Sequence, residues 1–162
     1  MTELSAKQNL LMNIINNSFN ADDSLLIVGV PGDGKLNLSK NICEGLGYDV
    51  TIIDLPSWRG CFKSDEFDSI KYAKNVFDIA RKNIHKKYAI IFDDFFNGHD
   101  DEITKICRFV HNRGINNSEV PSNVRFICMG NNTKFGGFDK IDTATLCQFT
   151  MFEFTKRNKI EG

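Results

Sequence analysis

Gly29-Val30-Pro31-Gly32-Asp33-Gly34-Lys35-Leu36 is the stretch on which the reading of this chain turns. It fits the spacing G-x-x-x-x-G-K, in which glycines let consecutive backbone N–H groups turn inward around phosphate oxygens. The lysine adds a point charge, and the helix that follows offers its positive N-terminal end. The bland alternative is a Gly/Pro turn joining strand to helix, with Lys35 merely solvated. Context favours the cradle. Leu25 to Val30 is a short, continuously apolar run with β-branched members, as expected of a strand buried on both faces. Lys35 to about Leu46 is helix-forming and stops at Gly47, which suits a left-handed helix C-cap. One position departs from the motif. Leu36 stands where a serine or threonine hydroxyl ordinarily ligates Mg²⁺, so nucleotide could bind while its metal is held less well.

Outward from the cradle, strand and helix patterns alternate. Before it, residues 3 to 19 place Leu4, Leu11, Ile14, Ile15 and Phe19 near helical spacing, so residues 1–24 read as a leading amphipathic helix and a linker into the first strand. After it, Val50 to Ile53 predicts a second strand, residues 54 to 65 a loop, and Glu66 to about Lys86 a helix with Phe67, Ile70, Ala73, Val76, Phe77, Ala80 and Ile84 inward. Ala89 to Phe92 predicts a strand and residues 101 to 113 a helix. Val124 to Met129 and Phe149 to Phe154 predict the last two strands. Such alternation favours a parallel sheet between helical layers, joined by right-handed crossovers. With no repeat, low-complexity tract or linker inside it, 1–162 reads as a single α/β domain.

Two further strand ends carry polar groups. Ile90-Ile91-Phe92 runs into Asp93-Asp94, at the C-terminal end of a strand, where ligands sit in open α/β sheets. Asp93 is the candidate to face a metal and its waters, and Asp94 to orient an attacking water. Against this, an acidic turn capping the helix near residue 101 is the plain reading. Val124 to Gly130 ends in Asn131-Asn132, an amide that can hold a water against a γ-phosphate or, equally, an Asn-rich turn.

Composition bounds the rest. Lysine and arginine (20) nearly cancel aspartate and glutamate (21), so no overall field indicates nucleic acid or an anionic membrane as the main partner. The five cysteines are scattered, without zinc spacing. That usage, with no basic-apolar leader and no long apolar span, predicts a reduced, cytoplasmic setting. Richness in Asn, Lys and Ile would suit a phage or a low-GC bacterium. His85, His99 and His111 share no metal spacing and read as surface residues. Phe95-Phe96 should pack under the loop that follows them.

Together these residues resemble the AAA+ ATPase core of the P-loop NTPases, and within it the MoxR-like group, from about Leu25 to Phe154. Gly29 to Lys40 looks like Walker A, Ile90 to Asp94 like Walker B, and Gly130-Asn131 like the sensor 1 strand end. Val120-Pro121-Ser122-Asn123-Val124-Arg125 and Gly136-Gly137 also look like that group. The resemblance implies a three-layer αβα fold with a five-stranded sheet in the order 5-1-4-3-2, which brings the three motifs to one γ-phosphate. It implies ATP or ADP with Mg²⁺ as cofactors. Gly29, Pro31, Gly32, Asp33, Gly34, Lys35 and Leu36 would bind the phosphates, Asp93 the metal, and Asp94 and Asn131 would serve hydrolysis.

The chain departs from the family pattern besides Leu36. Asp94 replaces the usual glutamate, Gln148 stands where an arginine finger would precede the last strand, and the helical lid domain is expected to be absent. An arginine finger is worth ~10³ to 10⁵ in rate, so hydrolysis should be weak or depend on assembly. The alternative is an inactive adaptor or inhibitor that binds a partner protein or an AAA+ ring. A small-molecule kinase is disfavoured, because no arginine-rich lid is legible. Either leading reading expects a protein partner, including a homo-oligomer. Trp58-Arg59-Gly60 falls where AAA+ rings place a pore loop, although a lone loop tryptophan more often packs onto its own domain.

Overall fold

In the computed structural model the described residues are 3–30, 32, 34–55, 68–114, 119–131, 144 and 148–153. Their elements are α1 (Glu3–Ala21), β1 (Leu25–Gly29), α2 (Lys35–Gly45), β2 (Tyr48–Asp54), α3 (Asp68–Lys82), β3 (Lys87–Asp93), α4 (Asp100–Asn112), β4 (Val124–Asn131) and β5 (Thr150–Glu153), with a 3-10 turn at Phe95–Asn97. The strands form one parallel sheet in the order β2-β3-β4-β1-β5, the order expected from the resemblance.

Period-2 alternation along the strands splits the core into two layers. Leu26, Val28, Ile90, Phe92, Phe126 and Cys128 face α3 and α4, whereas Leu25, Ile27, Ala89, Ile91, Ile127 and Met129 face α1 and α2. Aromatic packing fills the first layer: Phe77 meets Phe109 edge-on at 5.2 Å and Phe126 stacks on Phe92 at 6.0 Å. In the second layer α1 presents Leu11, Ile15 and Phe19, four residues apart each time, so all three fall on one helical face. Burial thins at the sheet margin. Edge strand β2 is fully buried only at Ile53, which is why just its apolar half was legible as a strand.

Three expectations need correcting. Ile84 does not continue the inward face of α3, because the helix stops at Lys82 and Ile84 is 69% exposed in the turn beyond. Val30 lies past the end of β1 and is exposed. His111 is not a surface residue: its Nδ1 lies 2.8 Å from Ser24 Oγ and its ring packs on Phe149 at 4.4 Å. Phe95 and Phe96 are buried, as expected. Trp58 and the rest of the loop from residue 56, Phe67, Asn132, Gly136-Gly137 and Phe154 lie outside the described residues.

Candidate functional site

Because all strands are parallel, β1, β3 and β4 deliver their C-terminal ends to the same margin of the sheet. The register pairs Gly29 with Asn131 and Asp54 with Asp93. One cavity of about 470 Å³ opens there, lined by Gly32, Gly34, Lys35, Leu36, Asn37, Asp93, Asp94 and Asn131. The expected cradle, metal and water-orienting residues thus meet at one place, apart from Pro31 and Asp33, which lie outside the described residues. Gly29 ends β1 beside Asn131 but is not part of the lining.

The loop geometry explains its glycines. Gly32 and Gly34 hold φ of 78° and 83°, a left-handed backbone that an L side chain adopts only with strain. Gly34 is also the N-cap of α2, and no side chain caps that helix end. The first-turn N–H groups of α2 therefore point into the cavity margin, where an anion's oxygens would meet them.

Lys35 is buried, 7% exposed, on the first turn of α2. Its ammonium donates to the Val30 carbonyl and to Asn131 Oδ1, each at 3.3 Å. A buried ammonium requires such partners, so the solvated-lysine reading of this turn fails. With Oδ1 engaged, the Asn131 amide keeps Nδ2 as a donor that a ligand oxygen or a water could use.

Asp93 ends β3 half-buried. Burial pushes its carboxyl up from the ordinary carboxylate range, and the neighbouring charges of Asp54 and Asp94 push the same way. The Asp94 backbone N–H and the Lys35 ammonium oppose them. Burial first, then Asp94, also raises Asp54. Crowding of carboxylates at one strand margin costs stability in the free protein, and a cation would relieve it.

Asp94 takes a left-handed conformation, φ 56°, and opens the 3-10 turn whose two phenylalanines are buried. Aspartate is among the few non-glycine residues that tolerate this region. The capping alternative for Asp94 fails, because α4 is capped by His99 together with Glu102, whose Oε1 accepts the His99 N–H at 3.1 Å. Sequence reasoning missed Gly130 as a structural element of the site. A Cβ there would come within 2.6 Å of the Phe96 ring, so glycine lets that ring lie against β4 and anchors the turn beginning at Asp94.

The missing hydroxyl has a packing counterpart. Leu36 lines the cavity and also packs against the core on the α1 and α2 side. Among the described residues no cluster of three His, Cys, Asp or Glu could hold a metal alone. Asp93 with the oxygens of a bound phosphate is the donor set that fits Mg²⁺, a cation commonly held by one or two carboxylates plus substrate phosphates.

No protein-family model and no curated protein sequence matches this chain. Solved structures do. Cdc6p from Pyrobaculum aerophilum aligns over 94% of this chain and 45% of its own, with TM-score 0.60 and 12% identity. The ORC2 protein of Aeropyrum pernix, in ADPNP and ADP complexes, aligns over 96% and 48%, with TM-score 0.59 and 12% identity. C. elegans PCH-2 aligns over 91% and 42%, with TM-score 0.57 and 15% identity. These neighbours are AAA+ ATPases. The chain shares their fold, a parallel five-stranded sheet with flanking helices. It spans under half the length of each of these three proteins. No helix among the described residues is long and apolar enough to cross a membrane.

Proposed function

We propose that this AAA+-like chain binds ATP or ADP with Mg²⁺ and hydrolyses ATP weakly or only within an assembly. The observation that carries the proposal is the buried Lys35 ammonium, held between Val30 and the Asn131 amide at the mouth of a cavity that Asp93 and Asp94 also line. A lysine in that position is useful chiefly as a counter-charge for phosphate. The Aeropyrum neighbour, of the same fold, was solved as ADPNP and ADP complexes. Bound Mg²⁺ would supply neutralisation of phosphate charge. This chain's residues would do the remainder: Gly32, Gly34 and Lys35 hold the phosphates, Asp93 holds the metal, and Asp94 and Asn131 orient a water. The MoxR-like assignment and a cytoplasmic setting belong to the same proposal.

A second reading is favoured by one observation, the packing of Leu36 against the core. If that residue was selected for packing, the domain is a non-enzymatic adaptor or inhibitor that binds a partner protein or an AAA+ ring. Nucleotide binding with and without Mg²⁺ tests the common ground. A ligand at one hundred times Kd should stabilise the fold by ~2.7 kcal/mol, and Lys35→Ala should abolish the melting shift. A variant that responds as the parent does would assign the cradle to the wrong residues. Phosphate release across a protein concentration series then separates the two readings, since only the first expects turnover that grows with assembly.

A further inference from the structure

The sheet margin remote from the cavity carries a second built surface. From the end of α3 to the first residue of β3, Arg81-Lys82-Asn83-Ile84-His85-Lys86-Lys87 holds four lysines and arginines, one histidine and no acid. All seven residues are exposed. In a chain of formal net charge −1 this is a local concentration of positive charge. An apolar element sits within it. Ile84 is 69% exposed at the turn, and Ile79, five residues earlier on α3, is 50% exposed.

The turn is held from beneath rather than left to solvent. Asn123, just before β4, donates from its amide to the carbonyls of Ala80, Asn83 and Lys86 at 3.1, 3.2 and 2.9 Å. The Asn83 side chain donates to the Ile79 carbonyl at 2.9 Å, and the Lys86 N–H to the Asn83 carbonyl at 2.9 Å. Water ordinarily satisfies the carbonyls of a surface turn, so this inward tethering fixes the backbone and presents the side chains from a preorganised frame. Two cations are committed within the molecule: Arg81 to Asp78 and the Glu119 carbonyl, Lys87 to the Leu46 carbonyl and the face of Tyr48. The side chains of Lys82, His85 and Lys86 have no partner among the described residues.

We propose that this turn docks an acidic segment of a partner protein, with Lys82 and Lys86 meeting its carboxylates and Ile79 and Ile84 covering one of its apolar side chains. Charge complementarity selects an anionic occupant. The isoleucines select a protein segment over a nucleic-acid backbone, which would neutralise the lysines and leave both aliphatic groups uncovered. The turn has no phenylalanine, tyrosine or tryptophan ring on which a base could stack. A bilayer would require a broader apolar face than two isoleucines provide. The surface starts at the N-terminal end of β3, whereas the cavity lies at its C-terminal end, so the two can be broken separately.

Fluorescence anisotropy on the full chain tests the proposal with two labelled peptides of equal negative charge, one of glutamate and glycine, the other with leucine replacing two of the glycines. The leucine peptide should bind about tenfold more tightly, the return for covering part of an aliphatic side chain. Lys82→Glu with Lys86→Glu should abolish binding of both peptides. Ile84→Ser should remove only the tenfold advantage. Each variant should keep the parent's melting temperature and its shift with nucleotide. Equal binding of the two peptides, or binding of neither, overturns the proposal. So does tighter binding of a single-stranded oligonucleotide or of phosphatidylserine vesicles, either of which would assign the cations to a phosphate backbone or a bilayer.

Discussion

The two margins of the sheet are built on opposite principles. At the C-terminal margin, parallel strands deliver groups that conflict: a desolvated lysine, carboxylates that raise one another, a left-handed aspartate and two left-handed glycines. At the N-terminal margin two arginines are satisfied by their neighbours. Arg113 donates to Asp22 at 2.7 Å, to the Val124 carbonyl at 3.1 Å and to the Pro121 carbonyl. Arg125 donates to the Phe19 and Ser122 carbonyls at 2.7 Å. These arginines lock the end of α1 to the start of β4. The difference teaches where each function resides: one margin stores unfavourable interactions that a ligand would relieve, and the other supplies the stability that tolerates them.

That contrast breaks most visibly at Arg113. Arg113→Ala removes a half-buried guanidinium and leaves carbonyl groups unpaired, which should cost about 3 kcal/mol, or roughly 6–12 °C in melting temperature. The affinity for nucleotide should not change. A variant that keeps its stability but loses nucleotide would place Arg113 at the phosphates and refute the division.

Gly130→Ala tests the site margin through packing alone. The added methyl must displace the Phe96 ring, at a cost of about 1–3 kcal/mol, and the displaced turn carries Asp94 with it. Melting temperature should fall and phosphate release should fall with it, whereas ADP affinity, set by the cradle, should hold. Loss of ADP binding in parallel would mean that the turn supports the cradle as well.

His111 offers a smaller, pH-dependent contrast. Its Nδ1 faces Ser24 Oγ, its Nε2 is buried without a hydrogen-bond partner among the described residues, and burial lowers its pKa from the ordinary 6.5. The unfolded chain therefore takes up a proton at this residue at a higher pH than the folded chain does. Stability should decline as pH falls below 6.5 toward the folded value, and His111→Gln should flatten that part of the profile. An unchanged slope in the variant would show that another group titrates there.

Much of the functional margin was legible because its chemistry is local. Glycines that need positive φ, a lysine at fixed spacing and carboxylates at a strand end each reflect short-range constraints. The parallel α/β class followed from alternation. What escaped were tertiary commitments. Nothing in the spacing of His111, Arg113 or Arg125 says that they close the opposite margin, since their partners lie on distant segments such as Asp22 and Ser24. Ile84 continued a helical period that the chain abandons at Lys82, and only tethering by Asn123 explains the turn there. Gly130 was legible only as part of a strand end, because its packing need is the position of the Phe96 ring and not its own backbone.

The smallest expected effect lies in repairing the catalytic pattern, and the structure makes the repair costly. Leu36→Thr would supply a hydroxyl toward Mg²⁺, but it withdraws an aliphatic side chain that packs on the core, at a cost of about 1 kcal/mol. Asp94→Glu would extend the carboxylate, yet it puts a longer side chain at a left-handed position that aspartate tolerates better. Each change should therefore lower melting temperature slightly while tightening the Mg²⁺ dependence of nucleotide binding, and the double variant should raise phosphate release only a few-fold. Gln148→Arg should add to this only as protein concentration rises, because Gln148 is exposed just before β5 and its replacement could serve only a neighbouring subunit. Arg113 and Arg125 cannot take that role from within, being bound at the opposite margin. Rapid turnover by the dilute parent would count against the weak-hydrolysis reading, and Arg157, outside the described residues, would be the first side chain to substitute.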